Sequence, residues 1–221
     1  MKIGIESNLL RNLFQNVYFL NGTAYAGKST MVRLLAEKYD GICCGENYHD
    51  ELMHLIDPVH QPNLSYFDTM SGWQEFISRT PEQYDAWIQG SSRESAELEL
   101  LKLTQLAMTG RKIFVDTNIS PEILREISDY HRVAIMLSPQ WMSVDRFFDR
   151  PDADKQFLYR KILESPDPEK TMANYRKILE TLNSREHYEE FANSGFFTHL
   201  RGEDSTIEDT LNILENHFLL I

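Results

Sequence analysis

The sequence predicts an α/β protein built on a mainly parallel sheet, and three observations carry that expectation. Short apolar runs alternate with longer stretches of helical periodicity. The apolar runs are continuous, as in strands covered on both faces, rather than alternating with polar residues. The first run leads straight into a glycine-bounded loop and then a helix, so strand, loop and helix follow in order.

The elements follow in chain order. Leu9, Leu10, Leu13 and Phe14 form an amphipathic patch that suits a short N-terminal packing helix. Val17 to Leu20 is the first strand. After the loop, Met31, Leu34 and Leu35 take helical spacing within Ser29–Tyr39. Gly41–Gly45 reads as a second buried strand that ends at Glu46-Asn-Tyr-His49-Asp50. A mostly helical region follows, interrupted at Pro58, Pro62 and Gly72, in which Ser91–Met108 is a long amphipathic helix. Gly110 turns the chain into a third strand, Lys112–Asp116. Ser120-Pro121-Glu122 starts a helix, with a serine cap and proline in the first turn, and a fourth strand, Arg132–Leu137, follows. The charged helical stretch from Trp141 to Glu190 is broken near Pro151 and at Pro166-Asp-Pro168. Phe196–Leu200 is the fifth strand. Thr206–Phe218 closes the chain with Ile207, Leu211, Leu214 and Phe218 on one face.

With 221 residues, 42% of them apolar, one sizeable core is expected and a single domain over 1–221. No run approaches the ~20 apolar residues that span a bilayer, and the first residues do not resemble a secretory signal. Cys43 and Cys44 are adjacent, so on a strand they point to opposite faces and do not pair. That usage fits a reducing, cytoplasmic setting. A net charge of −12 argues against long nucleic acids as partners but not against a mononucleotide.

Gly22-Thr23-Ala24-Tyr25-Ala26-Gly27-Lys28-Ser29-Thr30 matches the Walker A phosphate-loop pattern at every fixed position. The glycines allow successive N–H groups to turn toward phosphates. Lys28 suits the β- and γ-phosphates, the Ser29 hydroxyl suits Mg²⁺, and the following helix adds its positive dipole end. Asp116 ends an apolar strand as a second Mg²⁺ ligand does, although a strand-terminal Asp also commonly caps the next turn. Glu46 and Asp50 lie where a sheet of this kind binds ligands, and either suits the base that takes an acceptor's proton. His49 is a weaker base candidate, and a metal site from His49, Asp50 and His54 lacks a closed ligand set.

Together these residues resemble the P-loop small-molecule kinases, the group of nucleoside-monophosphate kinase, shikimate kinase, gluconate kinase and chloramphenicol phosphotransferase-like proteins. The resemblance implies a three-layer P-loop NTPase fold, with a five-stranded parallel sheet ordered 2-3-1-4-5 and flanked by helices. It also implies a helical lid over 141–190 and an acceptor-binding region over 50–110. Arg146 and Arg150, with Arg160 beyond them, occupy the lid position, where guanidinium forks would close on phosphate oxygens. The competing reading pairs those arginines with Asp145 and Asp149. Arg93 resembles an arginine that holds an acceptor phosphate, and Gly202–Thr206 occupies the place of a base-contacting loop. Trp73, Phe76, Tyr84 and Trp87 either stack on a planar substrate or pack the inserted helices, and packing is the simpler role. The loop departs from the group at Thr-Ala-Tyr-Ala, where Tyr25 either covers the phosphates or packs beside them. No Asp-x-Asp acceptor signature follows the second strand.

The expected activity is therefore ATP- and Mg²⁺-dependent transfer of the γ-phosphate to a small-molecule hydroxyl or phosphate, by a monomer or homodimer. The alternative is a nucleotide-binding regulator without an acceptor. A GTPase is disfavoured because no Asn-Lys-x-Asp base reader is present.

Overall fold

The computed structural model describes residues 4–149, 153–202 and 204–221. Among them, strands β1 (Val17–Gly22), β2 (Ile42–Cys44), β3 (Ile113–Asp116), β4 (Val133–Leu137) and β5 (Phe197–Leu200) form one sheet. Its order is β2-β3-β1-β4-β5, and every pairing is parallel. The helices of the first half are α1 (Ser7–Leu13), α2 (Lys28–Lys38), α3 (Tyr66–Thr69), α4 (Trp73–Ile77), α5 (Pro81–Ala107) and α6 (Pro121–Ile127). Those of the second half are α7 (Gln140–Asp145), α8 (Ala153–Leu163), α9 (Pro168–Leu182), α10 (Arg185–Ala192) and α11 (Ile207–His217).

The three central strands are apolar throughout because helices cover both faces of the sheet. Val17, Phe19, Ile113, Val115, Val133 and Ile135 are wholly buried on one face, against α5 and α6. The alternate residues Tyr18, Leu20, Phe114 and Met136 are buried on the other, against α2 and α11. The sheet's outer strands are less covered. In β2 Cys43 is exposed and Cys44 buried, so the second strand is an edge strand and not the fully buried one its sequence suggests. The two thiols face opposite sides and form no disulfide.

A third apolar cluster stands beyond the sheet. Phe76, Ile77, Tyr84, Leu158, Ile162, Tyr175 and Ile178 join α4, the first half of α5, α8 and α9. The aromatic residues of the 50–110 region belong here: Trp87 lies 5.2 Å from both Phe76 and Tyr84, ring centre to ring centre. They pack the inserted helices, as the simpler reading held.

α5 begins ten residues earlier than its periodicity indicates. Thr80 accepts from the Gln83 N–H while the Gln83 side chain accepts from the Thr80 N–H, and Pro81 opens the first turn. The long helix therefore links the sheet to the third cluster. Thr80→Ala should cost about 1 kcal/mol, read as a lower denaturant midpoint. No described helix is long and apolar enough to cross a membrane.

Candidate functional site

The loop between β1 and α2 is held by its surroundings at nearly every residue. Asn21 is buried, donates to the Ile119 carbonyl at 2.7 Å and accepts from the Gly22 N–H at 2.6 Å. Gly22 has φ of +122°, and a Cβ there would lie 2.0 Å from the Met136 carbonyl oxygen of β4. The Thr23 hydroxyl accepts from the Ser138 N–H at 2.9 Å, and the Ser138 hydroxyl donates to the Ala24 carbonyl at 2.6 Å. Tyr25 has φ of +65° and packs beside the loop, where its hydroxyl donates to the Arg146 carbonyl at 2.7 Å. Arg201 donates to the Tyr25 carbonyl at 2.9 Å. Ala26 is buried in the core beneath α2.

Gly27 is the N-cap of α2 with φ of +92° and supplies no side-chain acceptor, so the first N–H groups of α2 are uncapped by any side chain at that position. Lys28, Ser29 and Thr30 make the first turn. Ser29 Oγ donates to Asp116 Oδ2 at 2.7 Å. Lys28 Nζ donates to the carbonyls of Gly22 and Thr23 at 3.3 and 3.1 Å and lies 3.9 Å from Asp116 Oδ1. Asp116 thus reaches across to the loop and does not cap its own turn. That task falls to Thr117, whose hydroxyl accepts from the Ile119 N–H at 3.0 Å. A hydroxyl beside a carboxylate is a hard oxygen pair of the kind Mg²⁺ takes, with water and phosphate oxygens completing its shell.

Behind Asp116 lies a buried carboxyl that sequence reasoning passed over. Glu99 of α5 is wholly buried and accepts from the Thr117 hydroxyl at 2.6 Å, from the Asn118 side chain at 2.9 Å and from the Tyr48 hydroxyl at 3.2 Å. It ties the segment after β2 to the turn after β3. Burial pushes its pKa up, while the bonds from Thr117, Asn118 and Tyr48 pull it back. His49 Nδ1 is 3.9 Å away, and burial pushes the His49 pKa down. The sole sequence signal was a glutamate inside the apolar stretch Leu98 to Leu101.

The sign of the Glu99 effect on stability follows from that shift. A carboxyl whose folded pKa is raised binds its proton more tightly in the folded state. Its contribution is therefore full below the ordinary value of 4.5 and is lost as pH rises through the folded value. Glu99→Gln should flatten this part of the stability-versus-pH curve, measured by urea unfolding across the acidic-to-neutral range. An unchanged slope would contradict the assignment.

A cleft of about 930 Å³ opens from the loop, bounded by α5, the turn after β3 and the α7–α10 helices. Glu46 lines it; Asp50 does not, because it sits exposed at the start of a 3₁₀ turn over Asp50–Leu55. Of the two base candidates, the fold brings only Glu46 to the cleft. Among the described residues no three His, Cys, Asp or Glu side chains are grouped so that they could hold a metal ion.

Of the two lid arginines, Arg146 falls among the described residues. Arg146 is exposed, its guanidinium 5.4 Å from the centre of the Trp141 ring, and its carbonyl accepts from the Tyr25 hydroxyl of the loop. Asp145 pairs with Arg176 at 2.8 Å. Arg150 lies outside the described residues. The cation that α8 brings to the cleft is Lys155, 5.6 Å from the centre of the Tyr25 ring. An arginine-led reading of the lid had no reason to select it. Arg93 lines the cleft. Gly202 donates its N–H to Ser205, closing a small turn away from the cleft wall. Neither a family model, a curated protein nor a solved structure matches the chain.

Proposed function

We propose that the chain is an ATP-dependent phosphotransferase of the P-loop kinase type, acting on a small-molecule acceptor. The reading rests on one arrangement: the Ser29 hydroxyl, the Lys28 ammonium and the Asp116 carboxylate converge where a glycine-bounded loop enters a helix. Helix N–H groups, a lysine and an adjoining oxygen pair suit a polyphosphate and its metal. The cleft that continues from this point gives room for a second substrate.

In this account the loop and Lys28 hold the β- and γ-phosphates, and Lys155 approaches from α8. Mg²⁺, held by Ser29 and Asp116, would neutralise charge on the phosphate oxygens. The acceptor hydroxyl attacks the γ-phosphorus, the bond to the β-phosphate oxygen breaks, and Glu46 takes the hydroxyl proton. Positioning and electrostatics do most of the work. ATP is placed above GTP by the family resemblance.

The test is ADP release from Mg·ATP over a metabolite panel, for the parent protein and Asp116→Asn. One acceptor should drive release, and the variant should lose about 100-fold or more of that rate. Nucleotide binding with no acceptor-driven release would favour a regulator.

A further inference from the structure

Glu99 lies behind the cleft, between the turn after β3 and the segment after β2. Its side chain is wholly buried on α5, while Asp116, Thr117, Asn118 and Glu46 line the cleft in front of it. Each hydrogen bond it makes among the described residues is one in which it accepts. The Thr117 hydroxyl donates at 2.6 Å and itself accepts from the Ile119 N–H. Asn118 donates twice, from its backbone N–H at 3.1 Å and from its side-chain amide at 2.9 Å. The Tyr48 hydroxyl donates at 3.2 Å. These donors come from the two segments that carry the carboxylates of the site: Thr117 and Asn118 directly follow Asp116, and Tyr48 lies two residues after Glu46. Stability alone does not account for such a group. Among the described residues its one ionisable neighbour at ion-pair distance is the His49 ring, at 3.9 Å. A carboxyl buried without a lysine or arginine costs desolvation that a well-packed apolar side chain would not. Glutamine would keep the length but put an N–H₂ where an acceptor oxygen now meets those donors, so at least one tie would be lost.

We infer that Glu99 is the positioning residue that fixes the carboxylates of Asp116 and Glu46 relative to each other in the cleft. This rests on the phosphotransferase reading for the roles of those two groups, the one toward Mg²⁺ and the other toward the acceptor proton. Glu99 lines no part of the cleft and acts through Thr117 and Asn118 on one side and Tyr48 on the other. One carboxyl on a long helix thus holds both segments at once. In-line transfer needs the metal side and the base side in register, and a small misplacement of either is costly in rate.

The test compares the parent with Glu99→Gln and Tyr48→Phe, with urea unfolding to establish that each is folded. Tyr48→Phe removes one donor and keeps the ring, so it tests the tie to the Glu46 segment even where Glu99→Gln does not fold. Amide hydrogen exchange reads the two sides separately. The Asn118 amide bonds to Glu99, and the Tyr48 and Asp50 amides close the turns after β2. Glu99→Gln should quicken exchange on both sides, and Tyr48→Phe at Tyr48 and Asp50 alone. ADP release from Mg·ATP, with water as the acceptor, should fall about tenfold or more in Glu99→Gln and by a smaller factor in Tyr48→Phe. Mg·ATP affinity by calorimetry, carried by the loop and Lys28, should stay within about threefold of the parent. A purely structural role would lower the urea midpoint and leave turnover by the folded protein unchanged. Parental ADP release from either folded variant, or exchange in Glu99→Gln that quickens on one side or on neither, overturns the inference. A parent that binds no Mg·ATP refutes the phosphotransferase reading. In that case, and where a parent that binds Mg·ATP releases no ADP, the exchange pattern alone decides whether Glu99 holds the two segments together.

Discussion

Lys28→Ala should lower the affinity for Mg·ATP by on the order of 100-fold while leaving the fold intact. Among the described residues, Lys28 Nζ meets the carbonyls of Gly22 and Thr23 and the carboxylate of Asp116. In the nucleotide complex the same ammonium would exchange those carbonyls for phosphate oxygens. A hydrogen bond to a charged group is worth about 1.5–3 kcal/mol, and the stated factor is about 2.8 kcal/mol, the net loss of one such bond. Lys28→Arg should not restore binding, because a planar fork does not replace a compact point charge in a closed loop. Calorimetry on the three proteins, with thermal unfolding to establish that each is folded, decides the matter. Equal affinities would mean that the loop is not the phosphate site.

Gly22→Ala should destabilise the protein by on the order of 4 kcal/mol or prevent folding. The added Cβ would sit 2.0 Å from the Met136 oxygen and 2.8 Å from its carbonyl carbon, both of them backbone atoms. Met136 cannot yield, because it pairs with Gly22 in the sheet and its oxygen accepts from the Thr23 N–H at 3.0 Å. Gly27→Ala is the control. Nothing lies within 4 Å of its Cβ, so the cost is that of the left-handed backbone alone, about 1–2 kcal/mol. Urea unfolding should separate the two variants clearly. Similar midpoints would show that the close approach of β1 to β4 does not constrain the loop.

The parallel sheet and the helices on both faces were legible because buried strands are apolar on both sides and helices announce themselves by period, whereas the strand order was implied by the family resemblance alone. The loop was legible because its residue types are fixed by what a backbone cradle needs. Glu46 and Asp50 could not be told apart, since a five-residue segment without apolar periodicity gives no direction; the 3₁₀ turn decides which one reaches the cleft. Lys155 and Arg201 meet the loop from α8 and from the end of β5, and no local pattern marks such a meeting. Glu99 depends on contacts between distant elements, and one sequence carries no sign of those. The start of α5 was legible in principle, because Thr80, Pro81 and Gln83 form a complete helix-start signal that the apolar period alone does not include.

The central claim is that the glycine-bounded loop holds a nucleoside triphosphate by its phosphates. Calorimetric titration of the parent protein with Mg·ATP and, separately, with AMP tests it most directly. The account predicts that Mg·ATP binds at least tenfold more tightly than AMP, because the β- and γ-phosphates carry the contacts to Lys28 and the head of α2. Equal affinities, or no binding of Mg·ATP, would contradict it.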